Sequence, residues 1–196
     1  LATGSALVAA TYVPDWADAF QLTDEAARAE AADAALARAR ALGASYADIR
    51  INRYRRESIA TREHQIQNVS RSSSYGLGLR VLVSGAWGFA ATNLVDPSSA
   101  RTAADEAVAI ARANAALTAR KVVLAGADRV VAEWANPIKR DPFEVPLETK
   151  TTFLMELNET ALAVPGVSFI SSQVLFVDEQ KYFASSEGSR ITQRLV

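Results

Sequence analysis

The chain has 196 residues, with 21 Lys and Arg against 22 Asp and Glu, a net charge of −1 and 49% apolar residues. Balanced charge argues against a general nucleic-acid binder, and ordinary apolar content argues against disorder. The absence of Cys excludes a disulfide framework, a thiolate metal site and a Cys nucleophile, and the single His, His64, excludes any site in this chain that needs two imidazoles.

Apolar content is reached largely with 39 Ala, so many buried residues cover little area each. No apolar run approaches the roughly 18–20 residues of a membrane span. The chain begins at Leu1 and its only Met is Met155, which predicts a cut, processed or incomplete product. Residues 1–22 open on small, uncharged residues and read either as the remnant of an export signal or as a disordered arm. The export reading favours a periplasmic or secreted location, with the cytoplasm as the alternative.

Thr23 to Leu42 predicts a helix, capped by Thr23, with Asp24 and Glu25 at its positive end and Gly43 to stop it. Its buried stripe is expected at Ala27, Ala31, Ala34 and Leu42. Tyr46 to Tyr54 alternates as a half-buried strand, and Glu57 to Arg62 and Gln65 to Ser70 predict two further short strands around Glu63-His64. Tyr75 to Val83, Ser84-Gly85 and Ala86 to Thr92 form the clearest hairpin. Gly76, Gly78 and Gly88 within it suggest bulges or the close approach of another backbone.

Asp96-Pro97 opens a second helix with an inward stripe of Ala104, Val108, Ala111 and Ala115. Val130 to Trp134 predicts a strand, and Asn136 to Pro146, with three prolines, an ordered connection. A third helix runs from Pro146 to about Ala163 with Leu154, Leu157 and Ala161 inward. Val167 to Val177 predicts a long strand, Asp178-Glu179-Gln180 a turn, and Lys181 to Ser185 the return. Glu187-Gly188 marks another turn, and Ser189 to Val196 reads as a strand in progress. The sum is an α+β fold: a largely antiparallel sheet with about three helices packed on it. Residues 23–196 are expected to form one domain, together with the beginning of something that continues past Val196.

The chemical motifs are weak. Gly76-Leu77-Gly78-Leu79 lacks the third Gly of a dinucleotide loop and sits within a strand rather than before a helix. Glu63-His64 pairs an acid with the imidazole at a hairpin turn, without a positioned third group. Asp141, Glu144 and Glu148 gather acids near the third helix, in spacing that suits turn and helix-start roles. Arg50, Arg53, Arg55 and Arg56, flanked by Asp48 and Glu57, read as a strand face with cross-strand ion pairs. No catalytic or metal residue is assigned, and the substrate-binding residues are unknown at this level.

Several separated blocks, in order, nevertheless resemble one family. They are Asp48-Ile49-Arg50-Ile51, Arg53-Tyr54-Arg55, Glu57-Ser58-Ile59, Gln67-Asn68-Val69-Ser70 and Ser74 to Val81. Further blocks are Gly85 to Asn93, Asp141 to Leu147 and Phe183 to Gly188. From about residue 24 to 196 the chain looks like the N-terminal domain of the TldD/PmbA proteins, formerly called modulators of DNA gyrase and now regarded as zinc metallopeptidases. The resemblance implies a prokaryotic peptidase of two such subunits, as a homo- or heterodimer, around a cavity that admits flexible peptides; the older family name suggests instead a nucleic-acid or gyrase-associated protein, but the net charge of −1 weighs against a nucleic-acid partner. It implies zinc in a C-terminal domain, held by His-Glu-x-x-x-His and a later Cys; none of those positions lies in this chain, so no cofactor is expected within it. A PmbA-type partner subunit lacks that zinc motif and would make this chain a binding and assembly module instead; the block Phe183 to Gly188, followed by Gln193, leans toward the TldD type. Within the domain, Trp87 and Phe89 read either as core or as the lining of a peptide cleft beside the strand.

Overall fold

The computed structural model describes residues 25–196. The cap expected at Thr23 and Asp24, and the export-signal or arm reading of residues 1–22, fall outside the described residues. The elements in chain order are α1 (Glu25–Ala41), β1 (Tyr46–Arg62), β2 (Gln65–Val83), β3 (Ala86–Thr92), α2 (Pro97–Leu117), β4 (Val131–Ala135), α3 (Leu147–Leu162), β5 (Ser171–Ser185) and β6 (Arg190–Leu195). The six strands make one sheet in the order β3-β2-β1-β5-β6-β4. Every pairing is antiparallel except β4 with β6. The α+β class stands.

The strands are fewer and longer than the alternation suggested. The segments expected as two strands on either side of Arg55 are one 17-residue strand, and those on either side of Arg71 are one of 19 residues. Polar residues interrupt the apolar pattern there, but both strands keep continuous partners, so the ladder carries through. Asp178-Glu179-Gln180 is likewise no turn. It lies mid-strand in β5, where Asp178 is buried opposite Arg55. An acidic cluster mimicked a turn because its neutralising arginines are distant in sequence. Two reversals fell where expected: Ser84 and Gly85 both have positive φ, as a tight hairpin with the native twist requires, and Gly188 closes the β5–β6 turn at φ +95.

Alternation along β1 places Ala47, Ile49, Ile51, Glu57, Ile59 and Thr61 on one face, and all three helices pack on that face. α1 and α2 cover one end of it. Their buried stripes are mostly methyl groups: Ala31, Ala32, Ala35 and Ala39 from α1, and Ala100, Ala103, Ala104, Ala107 and Ala111 from α2. The stripe of α1 is thus rotated from the expected one, with Ala27 exposed and Arg28 buried; Arg28 spans the ring of Tyr182, which no helical period could signal. α2 is capped as expected, Asp96 accepting from the Ser98 and Ser99 amides at 2.8 and 2.9 Å.

α3 covers the other end, on a different face from that expected. Leu154 is buried, but Leu157 is 47% exposed, and the inward row is Lys150, Leu154 and Asn158. Its partners on the sheet are polar: the Lys150 ammonium bonds the buried Glu57 carboxylate, and Asn158 bonds Thr61 and Ser172.

Candidate functional site

The face of the sheet opposite the helices carries the chemistry. It begins at Asp48, which is fully buried although it points away from the helices. Arg80, directly across on β2, donates to its carboxylate from Nε at 3.0 Å and Nη2 at 2.6 Å, and Arg50 adds a bond at 2.8 Å. Those bonds hold Arg80 firmly protonated, and burial beside Asp48 raises the pKa of Tyr46.

Aromatic rings extend this row. Trp87 meets Tyr46 edge to face at 5.9 Å and carries the Arg80 guanidinium 5.0 Å from its ring. Arg50 stands 5.3 Å over Phe183, and Arg56 4.3 Å over Tyr54. Trp87 and Phe89 are not core. Their register opposite Leu82 and Arg80 turns them to the helix-free face, and Phe89 is 55% exposed. The glycines serve this arrangement: the Phe89 ring lies over Gly78, and Gly88, on the other face, lets α2 approach.

Beside Phe89 a shallow cavity of about 560 Å³ opens, lined by Arg50, Asn52, Tyr54, Gly76, Gly78 and Thr92 among others. Its floor is a chain of hydrogen bonds: Asn52 Nδ2 donates to the Tyr54 hydroxyl at 3.1 Å, which donates to Glu179 at 2.8 Å. Burial alone would raise the pKa of Glu179, but Lys181, Tyr54 and Arg56 outweigh it and hold the carboxylate ionised to lower pH than usual. Asn52 Oδ1 is buried in this floor with no hydrogen-bond partner among the described residues.

The basic run expected as an ion-paired strand face is divided by alternation between the two faces. Arg50 pairs with Asp48 on the bare face, whereas Arg55 pairs with Asp178 on the helix face and stacks 3.9 Å from the Phe143 ring. Asp141 joins Arg55 and Arg194 at 3.7 and 3.5 Å, while Glu148 lies in the first turn of α3; these acids do not converge on a common point. His64 and Glu63 sit at the β1–β2 hairpin tip, where Glu63 has a φ of 51°. Gly76-Leu77-Gly78 lies inside β2, so no nucleotide loop forms.

The fit to a metal centre is poor. Among the described residues no three His, Cys, Asp or Glu side chains come together to hold an ion, and the whole sequence offers one imidazole and no thiol. No hydrolytic step is derived from these residues. The sequence signals that pointed to the bare face were the alternation of Arg50 and Asn52 and the Gly-spaced hairpin around Trp87. Glu179 and Lys181 were missed, because β5, distant in sequence, brings Glu179 to the Tyr54 hydroxyl beneath the cavity and Lys181 to Glu179.

A mostly antiparallel sheet, helices on one face and a bare cationic and aromatic face on the other, defines a domain that presents a sheet surface. Residues 47–111 match the family described as PmbA/TldA metallopeptidase domain 1. A metalloprotease of Methanothermobacter thermautotrophicus is 32% identical over 148 residues, covering 74% of this chain and 31% of that protein. A metalloprotease of Methanocaldococcus jannaschii is 26% identical over 148 residues, covering 74% and 32%. The chain thus spans about a third of the length of these curated relatives. Among solved structures, TldE from Thermococcus kodakarensis has a TM-score of 0.67 at 13% identity, with 84% of this chain and 37% of that one covered. A Bacteroides thetaiotaomicron protein that carries the name modulator of DNA gyrase has a TM-score of 0.69 at 20% identity, with 89% and 39% covered. These two share the fold. By the family model, residues 47–111 resemble the first domain of the PmbA/TldD family.

Proposed function

We propose that this chain is the scaffold domain of a TldD/PmbA-like metallopeptidase that acts on flexible peptides, and that its helix-free sheet face walls the chamber in which they are held. The observation that carries the reading is that face. A half-exposed Phe89, the Trp87–Arg80–Asp48 row and the cavity over Asn52 lie together on a sheet surface that no described helix covers. Sheets with one face bare are ordinarily solvated and polar there; exposed rings beside guanidinium groups instead suit contact with polypeptide. The domain contributes position and surface, and zinc-dependent hydrolysis belongs to sequence outside it. Assembly with a second TldD/PmbA-type subunit is part of the same reading.

The test is the double substitution Trp87→Ala and Phe89→Ala in the complete protein. Because both side chains lie outside the core, the expected result is an unchanged circular dichroism spectrum with at least tenfold slower cleavage of an unstructured peptide, or a smaller assembly by light scattering. Unchanged cleavage together with unchanged assembly would overturn the reading. Zinc-dependent cleavage by the 196-residue chain alone would overturn it too, because the chemistry would then lie in this domain.

A further inference from the structure

We propose that the outer half of β2, residues 65–74, is a docking edge that takes an extended acidic peptide as an additional strand. β3 pairs only with Leu77 to Val83, so Gln65 to Ser74 have β1 on one side and no described strand on the other. All ten of these residues are exposed. Edges of this length are normally blunted by proline, repeated charge or shortness, because their free N–H and C=O groups recruit other chains. Here the stretch has no Pro and one charge, Arg71, and after a single irregularity opposite Ala60 and Thr61 it runs in unbroken register from Asn68 to Ser74. It is also stiff, since the part of β1 behind it, Tyr54 to Arg62, is paired on both sides. An incoming strand would meet a preformed ladder.

Charge and shape indicate which strand fits. Arg71 is the one charged side chain of residues 65–74 and it is a cation, while Arg55 on the strand behind is already paired with Asp178 and Asp141. A cavity of about 120 Å³ opens beside the edge, lined by Arg55, Glu57, Arg71, Ser72, Ser73 and Phe143. The Glu57 carboxylate there is already taken by Lys150 and by Arg71 through its Nε, and the half-exposed Arg71 keeps two terminal nitrogens for a further acceptor. In strand addition the main chain supplies affinity and pockets for alternate side chains supply choice. A carboxylate side chain of the added strand, seated at Arg71, completes both. The inference rests on the edge and this cavity and does not need the peptidase reading; it involves the other half of β2 from the one paired with Trp87, and the opposite sheet face, so either can fail alone.

The experiment titrates the complete protein with fluorescein-labelled Glu-Val-Glu-Val-Glu-Val at low salt. Two N-methylated versions, each blocking one alternate set of amides, distinguish ladder pairing from charge alone. The expected result is that one methylated peptide binds more than tenfold more weakly while the other is unchanged, and that Lys-Val-Lys-Val-Lys-Val is also more than tenfold weaker. Arg71→Gln should weaken the acidic peptide by roughly tenfold; Ser73→Glu, which leaves the Glu57 bonds intact, should do the same where Arg71→Gln lowers the melting temperature. Equal binding of both methylated peptides, displacement by an equal concentration of oligouridylate, or no binding at millimolar peptide would each overturn the proposal.

Discussion

At Gly88 the sheet and α2 approach more closely than any side chain allows. A Cβ there would stand 2.0 Å from the Ala107 carbonyl oxygen and 2.6 Å from the Ala111 amide nitrogen, both helix backbone with nowhere to move. Gly88→Ala is therefore expected to cost about 3 kcal/mol or more in denaturant unfolding, at the upper end for overpacking. Gly43→Ala is the control. Its φ is +90° with nothing near, so only the left-handed penalty of about 1 kcal/mol applies. The glycines within the hairpin signalled close approach in the sequence; which helix approaches, and at which turn, did not show. Asp48 teaches the same lesson from the other side. Its neighbour Arg50 is its natural partner by alternation, whereas Arg80, which holds it bidentately, is 32 residues away.

At the scale of elements, α3 is attached by polar contacts where the other helices are attached by methyl groups. The buried Asn158 donates to Thr61 Oγ1 at 3.0 Å and to the Glu63 carbonyl at 2.9 Å, and accepts from Ser172 Oγ. One side chain thereby pins the helix, the β1–β2 hairpin tip and the start of β5. Asn158→Ala leaves the Glu63 carbonyl and the Ser172 hydroxyl without this partner. It should cost about 2–3 kcal/mol, with amide exchange accelerating first in α3 and around residues 61–66. The apolar period of this helix pointed to Leu157 and Ala161 as inward, because a sequence cannot show that the surface beneath is Glu57, Thr61 and Ser172. Leu157 and Phe153 stay exposed in consequence.

For the whole molecule, this division between an alanine-lined end and a polar end predicts how it fails in acid. Burial alone would raise the pKa of Glu57, but hydrogen bonds from Lys150 and Arg71 outweigh it and hold the pKa below the usual glutamate range. A carboxyl depressed in the folded state contributes stability above its unfolded pKa, near 4.3, and loses that contribution as pH falls below it. Glu179, on the opposite face of the same half, is shifted in the same direction. The expected outcome is loss of exchange protection in α3 and the outer halves of β1 and β5 below about pH 4, while α1, α2 and residues 46–52 remain protected. Glu57→Gln should remove most of that pH dependence and lower stability at neutral pH, since Lys150 is then buried without its counter-charge.

The sequence by itself determined the class of fold, the Gly43 helix stop, the Asp96 cap and the two-residue Ser84-Gly85 reversal, because caps, turns and period are set by residues a few positions apart. Its ordered blocks also indicated the PmbA/TldD family. Only the tertiary structure decided that β1, β2 and β5 run unbroken through their charged middles, since the groups that neutralise those charges come from other strands. It alone showed Trp87 and Phe89 turned outward, Lys150 and Asn158 turned inward, and the outer edge of β2 unpaired by any described strand. Each of those outcomes depends on which strand lies alongside, and strand pairing is fixed by contacts between residues far apart in the chain.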